Sequence, residues 1–145
     1  MDHRWVARLL LSLLCSIQGI ATVAIDLNRT HATNPRWAGH ARFHVVWQTL
    51  TMALLAVVEL TLLWSGYVRA ERGFYLALAL AGLSPVAFLV TCATRRGFGG
   101  TLSDPNGIAP KRVVIGRRVV LVDMNLVAVV AALIAMGVMV GMYRW

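Results

Sequence analysis

The chain reads as all-α, a polytopic membrane protein whose four transmembrane helices form one up-down-up-down bundle. Composition is the first observation behind this: apolar residues fill 59% of the 145 positions and the mean hydropathy is +0.70. Charged residues make up 14%, against about 25% in soluble domains. The second observation is placement. The apolar residues gather in four runs, 5–25, 43–64, 74–94 and 119–143, each close to the ~20 residues that cross a hydrocarbon layer of ~30 Å. Residues 1–145 are therefore expected to form a single membrane domain.

Each element has its own justification. The first run follows Arg4 and contains Arg8, which resembles a secretion signal, but its length and the lack of a small-x-small cleavage pattern favour a retained helix. The second run emerges from the stretch THATNPRWAGHARFHVVWQ, which holds His31, His40 and His44, three of the four histidines. In the third, Pro85 is expected to bend the helix and to free a carbonyl that a neighbouring side chain or water must satisfy. The fourth carries Gly137 and Gly141 as GxxxG, which suits close packing within the bundle or a homodimer between protomers.

Four spans put the connections 26–42 and 95–118 at one end and the short 65–72 connection at the other. Nine Lys and Arg accompany the long connections and five the opposite end, so the positive-inside rule would place the long loops in the cytoplasm. The net charge of +8 does not imply nucleic acid, because the cations sit between apolar runs and are not interleaved with aromatics over a platform. Cys15 and Cys92 lie within apolar runs without CxxC spacing, so neither a disulfide framework nor a zinc site is indicated.

Polar side chains at helical spacing within a span mark the face that turns from lipid. On the second run His40, His44, Gln48, Thr51 and Glu59 fall within about 100° of one another at about 100° per residue. On the first, Ser12, Ser16, Gly19, Thr22 and Asp26 share a sector, and on the fourth Asp123 and Asn125 stand about a turn inside from the same membrane surface. The expectation is a polar site where three helices converge. His40 and His44 would be its acid/base pair, since an unperturbed imidazole changes charge near neutral pH. Asp26 and Asp123 would orient them, with Glu59 a deeper acid and Asn28, Trp47, Gln48 and Asn125 contacting substrate. The opposing reading is an interfacial belt of His, Trp and Arg; it leaves Glu59, a carboxylate inside a span, unexplained.

No metal or cofactor is expected. His40-x-x-x-His44 has the spacing of two zinc ligands but Ala41 replaces the glutamate of HExxH, and the third and fourth runs carry no histidine to supply an opposite haem ligand. Serines 12, 16 and 84 lack a GxSxG elbow.

The stretch DLNRTHATNPRWAGHARFHVVWQ, residues 26–48, resembles the signature of a family of small four-helix integral membrane proteins, DLNxTH…NPxW…HARFH. In size the chain is also similar to DoxX-like proteins, and in placing His and acidic groups within a membrane bundle it is similar to the emopamil-binding sterol isomerases. The latter have five spans, and none of their catalytic residues aligns here, so no role is carried over. The expected function is a membrane enzyme of isomerase, cyclase or hydrolase type acting on an isoprenoid, sterol-like or other lipid molecule. The alternatives are a proton-coupled small transporter, with Glu59 and the histidines as a relay, or an accessory subunit of a larger membrane complex.

Overall fold

The structure, a computed structural model, describes residues 2–104 and 106–145. Its four long helices are α1 (His3–Asp26), α2 (Gly39–Trp64), α3 (Ala70–Thr94) and α4 (Met124–Arg144), each long and apolar enough to cross a membrane. A 3₁₀ turn, Arg95–Phe98, closes α3, and the strands β1 (Lys111–Ile115) and β2 (Arg118–Val122) form an antiparallel hairpin.

That hairpin corrects the expected span 119–143. Val119–Val122 are β-branched apart from Leu121, a composition that favours strand, and they pair with β1 in the register Val114↔Val119 and Val113↔Val120. Gly116 supplies the positive φ, +61°, at the first central position of the two-residue turn. Asp123 then stops the strand and starts α4: its Oδ1 accepts from Leu126 N at 2.9 Å, as an N-cap does. Asp123 therefore sits at the helix end and not a turn inside it. Asp2 caps α1 in the same way, accepting from Arg4 N at 2.9 Å.

Helix α1 packs against α2 and α4, and α2 against α3; α3 and α4 are the least closely packed neighbours. The core lies at the end that holds the chain termini and the 65–69 turn. Leu11, Leu63, Phe74, Ala77, Met139 and Tyr143 are buried there, with the Phe74 and Tyr143 rings stacked at 3.9 Å between centroids. Arg8 donates from Nη2 to the Leu63 carbonyl and lies over the Trp64 ring at 4.4 Å, which holds this cation against the end of α2, while its Nε is buried without a partner among the described residues. Midway along, α1 and α2 approach so closely that a Cβ at Gly19 would lie 2.8 Å from Ala56 Cβ.

Toward the long loops the bundle opens. The buried residues of α4 are Met136, Met139 and Tyr143, all in its second half. Helix α3 runs without interruption through the buried Pro85. The carbonyl freed by the missing proline N–H is that of Ala81, and Gln18 Nε2 of α1 donates to it at 3.3 Å. Gly137 and Gly141 do not pack within the bundle, since a Cβ at either would meet nothing within 4 Å.

Candidate functional site

The opening between the helices is a chamber of about 360 Å³, within the range of about 300–1,000 Å³ usual for small-molecule sites. All four helices line it. Leu14, Ile17, Met52, Pro85, Phe88 and Val129 make it mainly apolar; Gln18, Thr22, Asp26, Gln48, Ser84 and Asn125 are its polar groups. On α1 it extends from Leu14 to Asp26, about 18 Å at 1.5 Å per residue.

Above it, in the loop layer, lies a second cavity of about 260 Å³, lined by His31, Trp37, Ser103, Asp104, Asp123 and Asn125 among others. Asn125 borders both spaces. Asp26 of the chamber and His31 of this vestibule meet across 3.8 Å from Oδ1 to Nδ1. Apolar chamber and polar vestibule thus join at an acid, an imidazole and an amide.

Local hydrogen bonds hold His31 in place. The chain leaving α1 turns back on itself: Ala32 N donates to Asp26 O at 2.9 Å, and His31 N and Thr33 N both donate to Asn28 O. Thr30 N donates to Asn28 Oδ1 at 2.8 Å, which identifies that atom as the amide oxygen, and Asn28 Nδ2 donates to Ala24 O. Thr30 Oγ1 lies 2.7 Å from Asn28 Oδ1 and 2.7 Å from His31 Nδ1. The amide oxygen accepts only, so the threonine hydroxyl donates to it and accepts in turn from His31 Nδ1–H. In the neutral ring this arrangement leaves the lone pair on Nε2. On its other side Asp26 Oδ2 accepts from the fully buried Thr49 at 3.5 Å.

The vestibule exists because the two long loops are clamped together. Asn34, 3% exposed, donates from Nδ2 to Thr30 O at 3.2 Å and to Asn106 O at 2.6 Å, while its Oδ1 accepts from Arg36 N at 3.0 Å. Arg36 adds a bond to Asn106 Oδ1 at 2.9 Å. The Trp37 ring stands edge-on to His31 at 5.1 Å.

The expected residues divide accordingly. Asp26, Gln48 and Asn125 line the chamber, and Asp123 lines the vestibule. His40 and His44 do not join them. Spacing alone turns the polar stripe of α2 inward, but the inward face is Thr49, Ala56, Glu59 and Leu63, and His40, His44, Gln48 and Thr51 are exposed. The reason is the phase of the helix. Thr49, Ala56 and Leu63 lie about 140–180° around from His40, and small residues there let α2 close on Gly19. His40 Nε2 and His44 Nε2 contact each other at 3.0 Å, and His44 lies 5.7 Å from the Trp47 ring, which is 60% exposed. These three form an outward aromatic column of the belt type. Glu59, 3% exposed, is buried among the helices outside both cavities. Asn28 lines neither cavity and acts on His31 through Thr30. The residues that the helical pattern does not single out are His31, with Thr30 behind it, and Gln18, Trp37 and Asp104 as cavity lining. The signal for them is the turn-rich NRTHATN segment directly after Asp26, whose Asn and Thr favour local backbone bonding over helix.

Comparison with models of protein families, with curated proteins and with solved structures finds no match to this chain.

Proposed function

We propose that the protein is a small membrane-embedded enzyme that performs general acid/base chemistry on a lipophilic molecule, of the proton-transferring isomerase type. The observation that carries this reading is the Asp26–His31 pair at the junction of the chamber and the vestibule. An apolar substrate body fits the chamber with its polar end at the junction. There His31 Nε2 takes a proton from substrate carbon, the Asp26 carboxylate stabilises the imidazolium, and the imidazolium, after exchanging that proton with water of the vestibule, delivers one to another carbon of the substrate. No co-reactant is consumed. The hydrogen bond from His31 through Thr30 to Asn28 supports this role, since it engages Nδ1 and leaves Nε2 as the basic nitrogen of the neutral ring. The closed, tightly packed end around Phe74 and Tyr143 favours this reading over transport, which needs access from both faces. Gly137 and Gly141, turned away from the bundle, are the proposed homodimer contact, and the two long loops are proposed to be cytoplasmic.

The test works with an unidentified substrate. Purified protein is incubated in D₂O with a total lipid extract, and the lipids are searched by mass spectrometry for species that gain one deuteron on carbon. We expect such a species with the native chain and its loss in His31→Ala and Asp26→Asn. Deuterium incorporation that persists in both variants would overturn the assignment.

A further inference from the structure

We infer that the β1–β2 hairpin is a membrane-surface anchor that docks on the headgroups of anionic phospholipids. No helix packs closely against it, and its apolar side chains are left uncovered. Side chains opposite each other in an antiparallel pair share a face. The register therefore places Arg112, Val114, Val119 and Leu121 on one face and Lys111, Val113, Ile115, Arg118, Val120 and Val122 on the other. Both faces have an apolar centre: Val114 is 71% exposed and Leu121 62%, and Ile115 and Val120 are exposed on the opposite side. A two-stranded hairpin is at best marginally stable in water, so one that offers apolar surface on both sides needs a cover.

The charges identify the cover. Lys111, Arg112, Arg117 and Arg118 lie on the hairpin and its turn, with no acidic residue from 111 to 122. Among the described residues none of the four makes an ion pair. A second copy of the chain is a poor occupant, since pairing two hairpins would gather their cations with no acid between them, and such charges oppose edge-to-edge association. An anionic lipid surface supplies what the hairpin lacks. Its phosphate and carboxylate oxygens match the cations, and the acyl carbons just beneath take the valines, Ile115 and Leu121, while the long basic stems reach back to headgroup level.

Position puts the hairpin within reach of that surface. Only Asp123 separates Val122, the last residue of β2, from α4, which is long and apolar enough to cross the membrane. Pro110, ahead of β1, and Asp123 both line the vestibule, so both roots of the hairpin belong to the loop layer where α4 enters the hydrocarbon. The end of α3 brings two further cations, Arg95 and Arg96, and the exposed ring of Phe98 to the same end of the bundle. Anionic phospholipid is concentrated in the cytoplasmic leaflet, the side proposed above for the long loops. The docking does not depend on the chemistry at His31.

The experiment is amide exchange read by mass spectrometry on the full chain in nanodiscs of phosphatidylcholine alone and of an equimolar mixture with phosphatidylserine, each loaded with one copy or with two. A basic residue near an anionic surface contributes about fivefold in affinity, and salt screening reduces what the hairpin's cations reach together. Peptides covering 111–122 are expected to exchange slower by about tenfold or more in the discs with phosphatidylserine, equally with one copy and with two, while peptides of α1 do not change. In Lys111→Gln combined with Arg112→Gln, Arg117→Gln and Arg118→Gln the two compositions should agree within about twofold. Arg112→Lys with Arg117→Lys and Arg118→Lys keeps the charge and should keep the difference. Native hairpin exchange that is the same in both compositions overturns the docking. A difference that survives in the glutamine variant, or is lost in the lysine variant, overturns recognition by charge. Slowing that requires two copies per disc assigns the hairpin to a second copy and overturns the lipid as its partner.

Discussion

Replacing Asn34 by alanine removes the clamp between the two long loops. Three hydrogen bonds go with it: two donated by Nδ2, to Thr30 O and Asn106 O, and one accepted by Oδ1 from Arg36 N. Each neutral bond contributes about 1 kcal/mol net, and more where a partner stays buried and unpaired, so the loss comes to about 2–3 kcal/mol. The exposed Arg36 bond to Asn106 Oδ1 offsets little of it. Because the loss falls on the loop layer and not on the buried contacts of α1 with α2, it lowers the cost of opening the loops without unfolding the bundle. Amide exchange followed by mass spectrometry in lipid nanodiscs should then show peptides covering 27–38 and 99–104 exchanging roughly 30- to 140-fold faster, at 1.4 kcal/mol per tenfold, while peptides of α1 and α3 keep their native rates. Asn34→Asp separates the bonds. It retains the acceptor for Arg36 N but sets carboxylate oxygen against the Thr30 and Asn106 carbonyls, so its effect should equal or exceed that of alanine. Native exchange in Asn34→Asp, or faster exchange confined to 27–38, would refute the clamp.

Two further outcomes are expected. Gly19→Ala forces a methyl to 2.8 Å from Ala56 Cβ and should destabilise the bundle by about 1–3 kcal/mol, while adding Ala56→Gly restores most of it; denaturant titration in bicelles measures both, and a neutral single variant would show that α1 and α2 are further apart. His40→Ala with His44→Ala should leave deuterium incorporation into lipid unchanged within about twofold, since both imidazoles lie outside the cavities and exposed side chains have small effects; a loss comparable to that in His31→Ala would return the chemistry to the outer column.

The four spans are legible in the sequence because hydropathy over twenty residues reports the solvent directly, and α1 and α3 begin and end within a few residues of the expected bounds. Two things are not. The apolar run from Val119 hides a strand, because a window that averages hydropathy cannot separate Val119–Val122 from the helix behind Asp123; the cap and the Gly116-Arg117 turn are the local signals. The inward face of α2 is misassigned when histidine, glutamine and threonine are weighted as interior groups. At the membrane surface such residues are equally at home outside, and the close approach of Gly19 to Ala56 selects the face instead. That approach is a property of two helices and cannot be read from one. Asp26 and Asn125 stand at ends of α1 and α4 that converge whichever way α2 is turned, and both border the chamber; Gln48 belongs to the exposed stripe of α2 and reaches the chamber only at its edge.

Pro85 links fold and site. Most polar side chains within the spans have a structural account. Ser12, Ser16, Thr22, Thr51, Thr61 and Thr91 each donate to the carbonyl four residues earlier, which satisfies a hydroxyl in an apolar medium without any partner helix. Gln18 is different. Its amide nitrogen is drawn to Ala81 O because proline has vacated that acceptor, and this fixes the amide so that Oε1 is left buried without a described donor. A helix that needed only to be repaired would be served as well by a serine one turn away on α3, with no acceptor left over. Here the repair comes instead from a neighbouring helix, so the proline ties α3 to α1 at the depth of the chamber, where these two diagonal helices otherwise touch little.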